Sequence, residues 1–307
     1  MRKKVICIGA TLIDELYFCE NIVIKETSNP AKKQVSIGGV ISNIAQHLAL
    51  LDVNTSIITA IGNDAEGNYI LNCLKKNRVL TEKIIIANDT TGKYVSILAP
   101  TGDMFVAVCQ DNCQKYISVP YLEKQTDYIN EFDILVIDTN LDIESIKWLI
   151  EYSNTYKKLL IIEPVSVLKA SKLAAIDLSG VFMITPNEEE LASLCPNYYN
   201  GEDRIAELLK KGIKSIWLRK GPQGSEIITL KSKLKVSVPK IDIIDSTGAG
   251  DAALAGWIFG YLQSENNKTC LELAHSMAIQ ILKTKGAIYS KLTREALYKN
   301  KETYYNE

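Results

Sequence analysis

Short apolar runs rich in β-branched residues recur along the chain, and between them the apolar positions fall three or four apart. Lys4–Gly9 (KVICIG), Ile57–Ile61 (IITAI), Ile134–Asp138 (ILVID), Leu159–Glu163 (LLIIE), Phe182–Thr185 (FMIT) and Ser215–Leu218 (SIWL) are apolar almost throughout. A strand covered on both faces has that pattern, whereas a strand with one wet face alternates. Ser42–Leu51, Glu66–Lys76, Ile143–Tyr152, Glu188–Leu194 and Glu202–Lys211 have the spacing that puts apolar side chains on one face of a helix. Strand then helix, repeated, predicts an α/β fold: a mainly parallel sheet with helices on both faces.

Two stretches break the rhythm. Leu16–Ser36 holds β-prone pieces (Tyr17-Phe18, Asn21–Lys25, Gln34–Ser36) and no helical spacing. Thr91–Val119 runs through Tyr94-Val95 and Ile97-Leu98, turns at Thr101-Gly102-Asp103 and continues through Met104–Cys109. A turn between two extended runs predicts a β-hairpin. Residues 16–36 and 91–119 are thus expected to form a small β-sheet lid on a core made of 1–15, 37–90 and 120–307.

Composition narrows the class. The 307 residues are 47% apolar and 23% charged, with a net charge of −1, as in an ordinary globular protein with a core of its own. That balance speaks against nucleic-acid binding through bulk positive charge. Seven scattered cysteines, no CxxC pair and two distant histidines speak against a zinc site or a disulfide framework and fit reduced thiols in the cytoplasm. The basic start Met1-Arg2-Lys3-Lys4 leads into an apolar run that Asp14 and Glu15 cut short, and no membrane span is expected.

The most informative segment is Asp245-Ser-Thr-Gly-Ala-Gly-Asp251, between the apolar strand-like run Val236–Ile244 and the apolar helix Ala252–Leu262. Small residues at 248–250 allow close backbone approach, and a helix start offers free N–H groups to an anion. An acid at the mouth of such a site suits proton removal from a hydroxyl that attacks phosphorus. A tight turn with a capping acid is the plainer alternative.

These residues resemble the ribokinase-like (PfkB) family of sugar and nucleoside kinases. Asp245–Asp251 matches its C-terminal signature, D-[ST]-x-G-A-G-D. Gly38-Gly39-Val-Ile-Ser-Asn43, followed by Gly62-Asn-Asp64, resembles the N-terminal one; Asn187–Glu190 matches N-x-x-E, and Gly221–Gly224 matches G-x-x-G. The motifs stand in order over almost the whole chain, and no Walker loop is present. The resemblance implies a Rossmann-like core with a β-sheet lid, and transfer of the γ-phosphoryl of ATP to a hydroxymethyl group. It makes Asp251 the base and gives the anion hole to the N–H groups of Gly248, Ala249 and Gly250. It places Asn187 and Glu190 near Mg²⁺ through water, and Asp14, Gly38, Gly39 and Asn43 around the acceptor. Gly221, Gly224 and Thr247 fall on the nucleotide side, with adenine over Ala274–Gly286. Asp245, Thr247, Gly286 and Ser290 match positions able to hold K⁺. One departure is Arg219-Lys220, where the family often has Thr: either cation would meet the phosphates, or both face solvent.

Three segments resemble pseudouridine kinases. Gly38-Gly39-Val40 lacks the Gly-Lys of ribokinases, Glu163-Pro-Val-Ser166 with Lys169 replaces a sugar-kinase run, and Thr91-Gly-Lys93-Tyr94 enters the lid. Lys169 is then expected at the base or ribose, or on the surface, and Lys93 and Tyr94 at the acceptor pocket. The expected reaction is 5′-phosphorylation of a nucleoside, pseudouridine first; a ribose, fructose or other nucleoside kinase and a non-catalytic sensor remain alternatives. Family lids often pair, so a homodimer through 16–36 and 91–119 is expected.

Overall fold

The computed structural model describes residues 3–305; Met1 and Arg2 of the basic start, and Asn306 and Glu307, lie outside the described residues. In chain order the first elements are β1 (Val5–Ile8), β2 (Leu12–Cys19), β3 (Ala31–Gly38), α1 (Val40–Leu50), β4 (Thr55–Ile58), β5 (Ala60–Gly62), α2 (Ala65–Lys76), β6 (Ile85–Ala87), β7 (Lys93–Leu98) and β8 (Met104–Gln110). Then come α3 (Val119–Lys124), α4 (Thr126–Asn130), β9 (Ile134–Asp138), α5 (Ile143–Thr155), β10 (Leu159–Glu163), α6 (Val167–Ala170), β11 (Met183–Ile184), α7 (Glu188–Leu194) and α8 (Gly201–Lys210). The chain closes with β12 (Ser215–Arg219), β13 (Ser225–Ile228), β14 (Lys233–Val236), α9 (Ala249–Leu262), α10 (Asn267–Leu282) and α11 (Arg294–Tyr305).

The main sheet has the order β14-β13-β12-β11-β10-β9-β1-β4 and is parallel from β12 to β4. Successive side chains of one strand enter opposite layers, as the pleat requires. Val5, Cys7, Ile134 and Val136 pack with α1, α9 and α10, whereas Ile6, Ile8, Leu135 and Ile137 pack with the helices of the other face. The α/β fold expected from the apolar runs is therefore the one observed. The antiparallel edge β12-β13-β14 was not expected.

A separate four-stranded sheet, β3-β2-β7-β8, uses both stretches that broke the rhythm. The β7–β8 hairpin is where the turn at Thr101–Asp103 predicted it. Two expectations change. Asn21–Lys25 is not a strand but part of the link between β2 and β3. The strand β2 begins at Leu12 and β3 runs to Gly38, so Asp14, expected within the core segment 1–15, stands on this second sheet.

Candidate functional site

The loop 245–251 is built as a helix start. Gly248 is the N-cap of α9 at φ 74°, a left-handed conformation, and a Cβ there would lie 2.6 Å from that of Ala287; glycine has no such Cβ and tolerates the conformation. A Cβ on Gly250 would come 2.9 Å from Nη1 of Arg219. The Ala249 N–H points back to the Ser246 carbonyl in a long 3.3 Å bond. The Asp245 carboxylate accepts the N–H of Thr247 (2.9 Å) and of Gly286 (2.9 Å), tying the loop to the turn after α10. Thr247 and Ser290 are exposed.

Asp251 opens α9, and Asn43 reaches it from α1: Asn43 Nδ2 donates to Asp251 Oδ2 at 2.8 Å. The two glycine-bearing motifs, far apart in sequence, thus meet at one carboxylate. Burial pushes that carboxyl up to about 7, against the pull of the Asn43 hydrogen bond and of Arg219. Gly39 sits at φ 97° with its backbone against Ala10 and Thr11. A side chain on Gly38 would overlap the Asp14 carboxylate, so Asp14 lies directly on the β3 backbone. Burial lifts Asp14 to about 6.

Arg219, at the end of β12, is largely buried and pairs with carboxylates through Nη2. Its Nη2 is 2.5 Å from Glu163 Oε1 and 3.8 Å from Glu190 Oε2. Glu163 also accepts the Thr185 hydroxyl at 2.5 Å. Lys220 is likewise engaged, 3.0 Å from the buried Glu226. The expectation that both face solvent is corrected: each is paired with a buried carboxylate, Glu163 for Arg219 and Glu226, which Lys233 also meets at 3.3 Å, for Lys220. Asn187 and Glu190 form a capping box on α7, with Asn187 N–H to Glu190 Oε2 at 2.9 Å and Glu190 N–H to Asn187 Oδ1 at 2.8 Å. Glu190 is buried, and burial raises its carboxyl. Glu163 had no role of its own in the sequence reading; a lone charge ending the apolar run LLIIE was the available signal.

These side chains line one cavity of about 1000 Å³. Its polar lining includes Glu163, Asn187, Glu190, Arg219 and Asp251, and its apolar lining includes Val238, Pro239 and Ala278, Ile279 and Leu282 of α10. Gly221 (φ 52°) and Gly224 (φ 87°) form the turn beside it, and a side chain on Gly224 would overlap the Val236 carbonyl. His275 of α10 lines the cavity as well; its Nε2 is 2.8 Å from Ser225 Oγ, while Nδ1 is buried without a partner. The segment after Val236 had read as a continuing strand. Instead it leaves the sheet and makes this wall, which apolar composition alone does not distinguish from a strand.

The second sheet sorts its own candidates. Asp14 pairs with Tyr94, and Ile13 with Lys93. Adjacent residues on a strand point to opposite faces, so Tyr94 shares the Asp14 face and Lys93 does not. Lys93 lies 2.5 Å from Glu66 of α2 and 3.8 Å from Glu15. The expectation that Lys93 shapes the acceptor pocket is therefore corrected. Lys169 is not a free surface lysine: its ammonium donates to Asn140, whose amide donates to buried Asp138 at 2.7 Å. The turn that swings α6 into place is strained, with Val165 at φ 67° and the Ser166 N–H bonded to the Pro164 carbonyl at 2.8 Å.

Residues 2–294 match the family model described as "pfkB family carbohydrate kinase". The chain is 30% identical over 272 residues to pseudouridine kinase of Escherichia coli (strain K12), covering 85% of this chain and 86% of that one. It is 27% identical over 238 residues to ribokinase of Lactococcus lactis, covering 77% and 76%. The structure of Arabidopsis thaliana ribokinase complexed with ribose and ATP superposes with a TM-score of 0.87 over 98% of this chain and 99% of that one, at 20% identity. The chain belongs to the pfkB family of carbohydrate kinases.

Proposed function

Starting from that membership, we propose that the protein transfers the γ-phosphoryl group of ATP to the 5′-hydroxyl of a nucleoside, pseudouridine before others. The observation that carries the kinase chemistry is the half-buried Asp251 carboxylate at the start of α9, held by Asn43 beside the glycine loop. Asp251 takes the proton of the attacking hydroxyl, and its elevated pKa makes it an effective base near neutral pH. The Gly248 and Gly250 N–H groups, with a share from Ala249 and the α9 dipole, face the charge that builds on the transferred phosphoryl. The apolar lining of the cavity receives adenine, with Gly221 and Gly224 at the phosphates. Arg219 acts through the carboxylates it pairs, fixing the positions of Glu163 and Glu190 at the cavity wall.

Asn187 and Glu190 would hold Mg²⁺ through water, since the capping box already engages the one Asn187 side-chain oxygen and Oε2 of Glu190. When bound, Mg²⁺ neutralises phosphate charge. Asp245, Thr247, Gly286 and Ser290 would form the K⁺ position; the Asp245 carboxylate bridging two loops fits a cation there. Asp14, on the face shared with Tyr94, grips the acceptor hydroxyls together with Gly38, Gly39 and Asn43. Seven free cysteines fit a cytoplasmic setting, and among the described residues no helix is long and apolar enough to cross a membrane.

Pseudouridine is favoured by the relative at 30% identity and by the resemblance of the Glu163–Lys169 segment to pseudouridine kinases. A free-sugar acceptor is the second reading, favoured by the ribokinase relative. ADP release measured with pseudouridine, uridine, ribose and fructose separates them. The expected result is the highest kcat/KM with pseudouridine; turnover of a free sugar with none of pseudouridine would overturn this specificity.

A further inference from the structure

Arg219 has more donors than its carboxylates use. Its guanidinium makes its hydrogen bond through Nη2, to Glu163 Oε1, and Glu190 Oε2 stands 3.8 Å from the same nitrogen. Among the described residues Nη1 is neither paired nor sealed from the cavity that Arg219 lines. It lies against the start of α9. A Cβ on Gly250 would come 2.9 Å from Nη1, and outside α9 the guanidinium is the only group within 4 Å of that position. Gly250 is a helical residue and not one of those at positive φ, so the left-handed backbone that calls for glycine at 248 does not explain glycine here. What the missing side chain leaves room for is the guanidinium. The arginine is also fixed from behind: its N–H donates to the Pro186 carbonyl at 2.9 Å, and it pairs with Ser225 of β13. Asp251, next along α9, takes its hydrogen bond from Asn43 rather than from Arg219. A helix N-terminus carries positive partial charge, and a cation beside it is repelled. Glu163 and Glu190 offset that charge on the Nη2 side. On the Nη1 side, two sources of positive potential converge. Convergent donors fixed in advance suit a negative charge that builds up only during reaction.

We propose that Arg219 is a catalytic residue whose Nη1 donates to an oxygen of the phosphoryl group in transit, beside the N–H of Gly250. In that step the acceptor oxygen bonds to the γ-phosphorus while the bond from that phosphorus to the β–γ bridging oxygen breaks. The electron pair of the broken bond leaves with ADP, and the hydroxyl proton passes to Asp251. Charge is spread over the equatorial oxygens during transfer, and a guanidinium there supplies within one chain what other phosphoryl-transfer enzymes take from an arginine finger. This inference rests on the kinase reading above and does not depend on which acceptor is used. It gives Arg219, where the family often has Thr, a contact of its own besides the two carboxylates.

The test is steady-state kinetics with ATP and with ATPγS, on whichever of the four acceptors named above gives the highest kcat/KM. Arg219→Ala should lower kcat with ATP about 10²–10³-fold, the range for one lost transition-state donor, with little change in the acceptor KM. In the native enzyme, sulfur on the γ-phosphorus should slow transfer, because it accepts a hydrogen bond less well than oxygen. In Arg219→Ala that thio penalty should shrink. An arginine that only positions Glu163 and Glu190 would lower the rate and leave the penalty as it was. Removing Arg219 alone strands Glu163, so the double variant Glu163→Gln/Arg219→Ala is compared with Glu163→Gln. It keeps that site uncharged and serves if the single alanine variant does not fold. The double variant should again show the drop in kcat and the smaller penalty. Equal thio penalties in Glu163→Gln and the double variant overturn the contact and leave the kinase reading standing. Absence of ADP release from the native enzyme with every acceptor overturns both.

Discussion

Asp251 titrates where a proton acceptor is most useful. Burial holds its carboxyl near 7, so at lower pH it keeps its proton and cannot take another. Turnover should therefore climb with pH through about 7 and level off above it, as a pH profile of kcat/KM would show. Asp251→Asn should lower kcat by about 10²–10⁴-fold, the span of general-base catalysis. The same substitution should stabilise the protein. The unfolded aspartate ionises near 3.8, whereas the folded one resists until about 7; stability is therefore lost as pH rises through that window. The melting temperature of Asp251→Asn should exceed the native value at about pH 8 and match it at about pH 4; the reverse order would contradict the burial of this charge. At this scale the motif residues were legible, because Asp251, Asn43 and Asp14 stand in patterns with a chemical reason. The partner of Arg219 was not: Glu163 lies 56 residues away, and only the fold brings them to 2.5 Å.

At the scale of elements, the buried parallel strands could be read directly, because burial on both faces leaves an unbroken apolar run. Two readings failed where that signal is ambiguous. Val236–Ile244 is apolar because it walls a cavity, and Asn21–Lys25 is β-prone without a strand to pair with. The strand β14 hid in Lys233–Val236, whose lysines suit an exposed edge. The helix α7 shows one pair of residues with two tasks. Asn187 and Glu190 match a kinase motif and also satisfy each other's backbone N–H groups. Asn187→Ala should cost about 1 kcal/mol of stability from the lost cap, read as a lower denaturant midpoint with an unchanged slope. Asn187→Asp keeps the acceptor and should retain most of that stability; equal losses in both variants would show that capping is not what Asn187 contributes.

For the whole molecule, the two sheets differ in what covers them. The main sheet has helices on both faces, whereas the second leaves Val35, Met104, Val106 and Val108 exposed at 45, 56, 44 and 63%. Such a surface is expected to be covered by another copy, as the resemblance suggested. Light scattering should give about twice the chain mass of 34.1 kDa; a single-chain mass at micromolar concentration would count against pairing. Lysine or aspartate in place of Val108 should then shift the mass toward one chain. The sequence marked the second sheet by its loss of helical rhythm, but its boundaries were misplaced because β2 and β3 run on into the core.

The hydrogen bond from Asn43 to Asp251 spans 208 residues of chain. On the ribosome the N-terminal half can fold its first strands and α1 early, yet the anchor of Asp251 waits for its partner until α9 has emerged. A truncated chain ending before residue 251 would carry the acceptor-side glycines and Asp14 but not the carboxylate that Asn43 holds. Under the proposed mechanism, synthesis from N to C terminus makes phosphoryl transfer one of the last properties the nascent protein acquires, and premature termination leaves a product without Asp251.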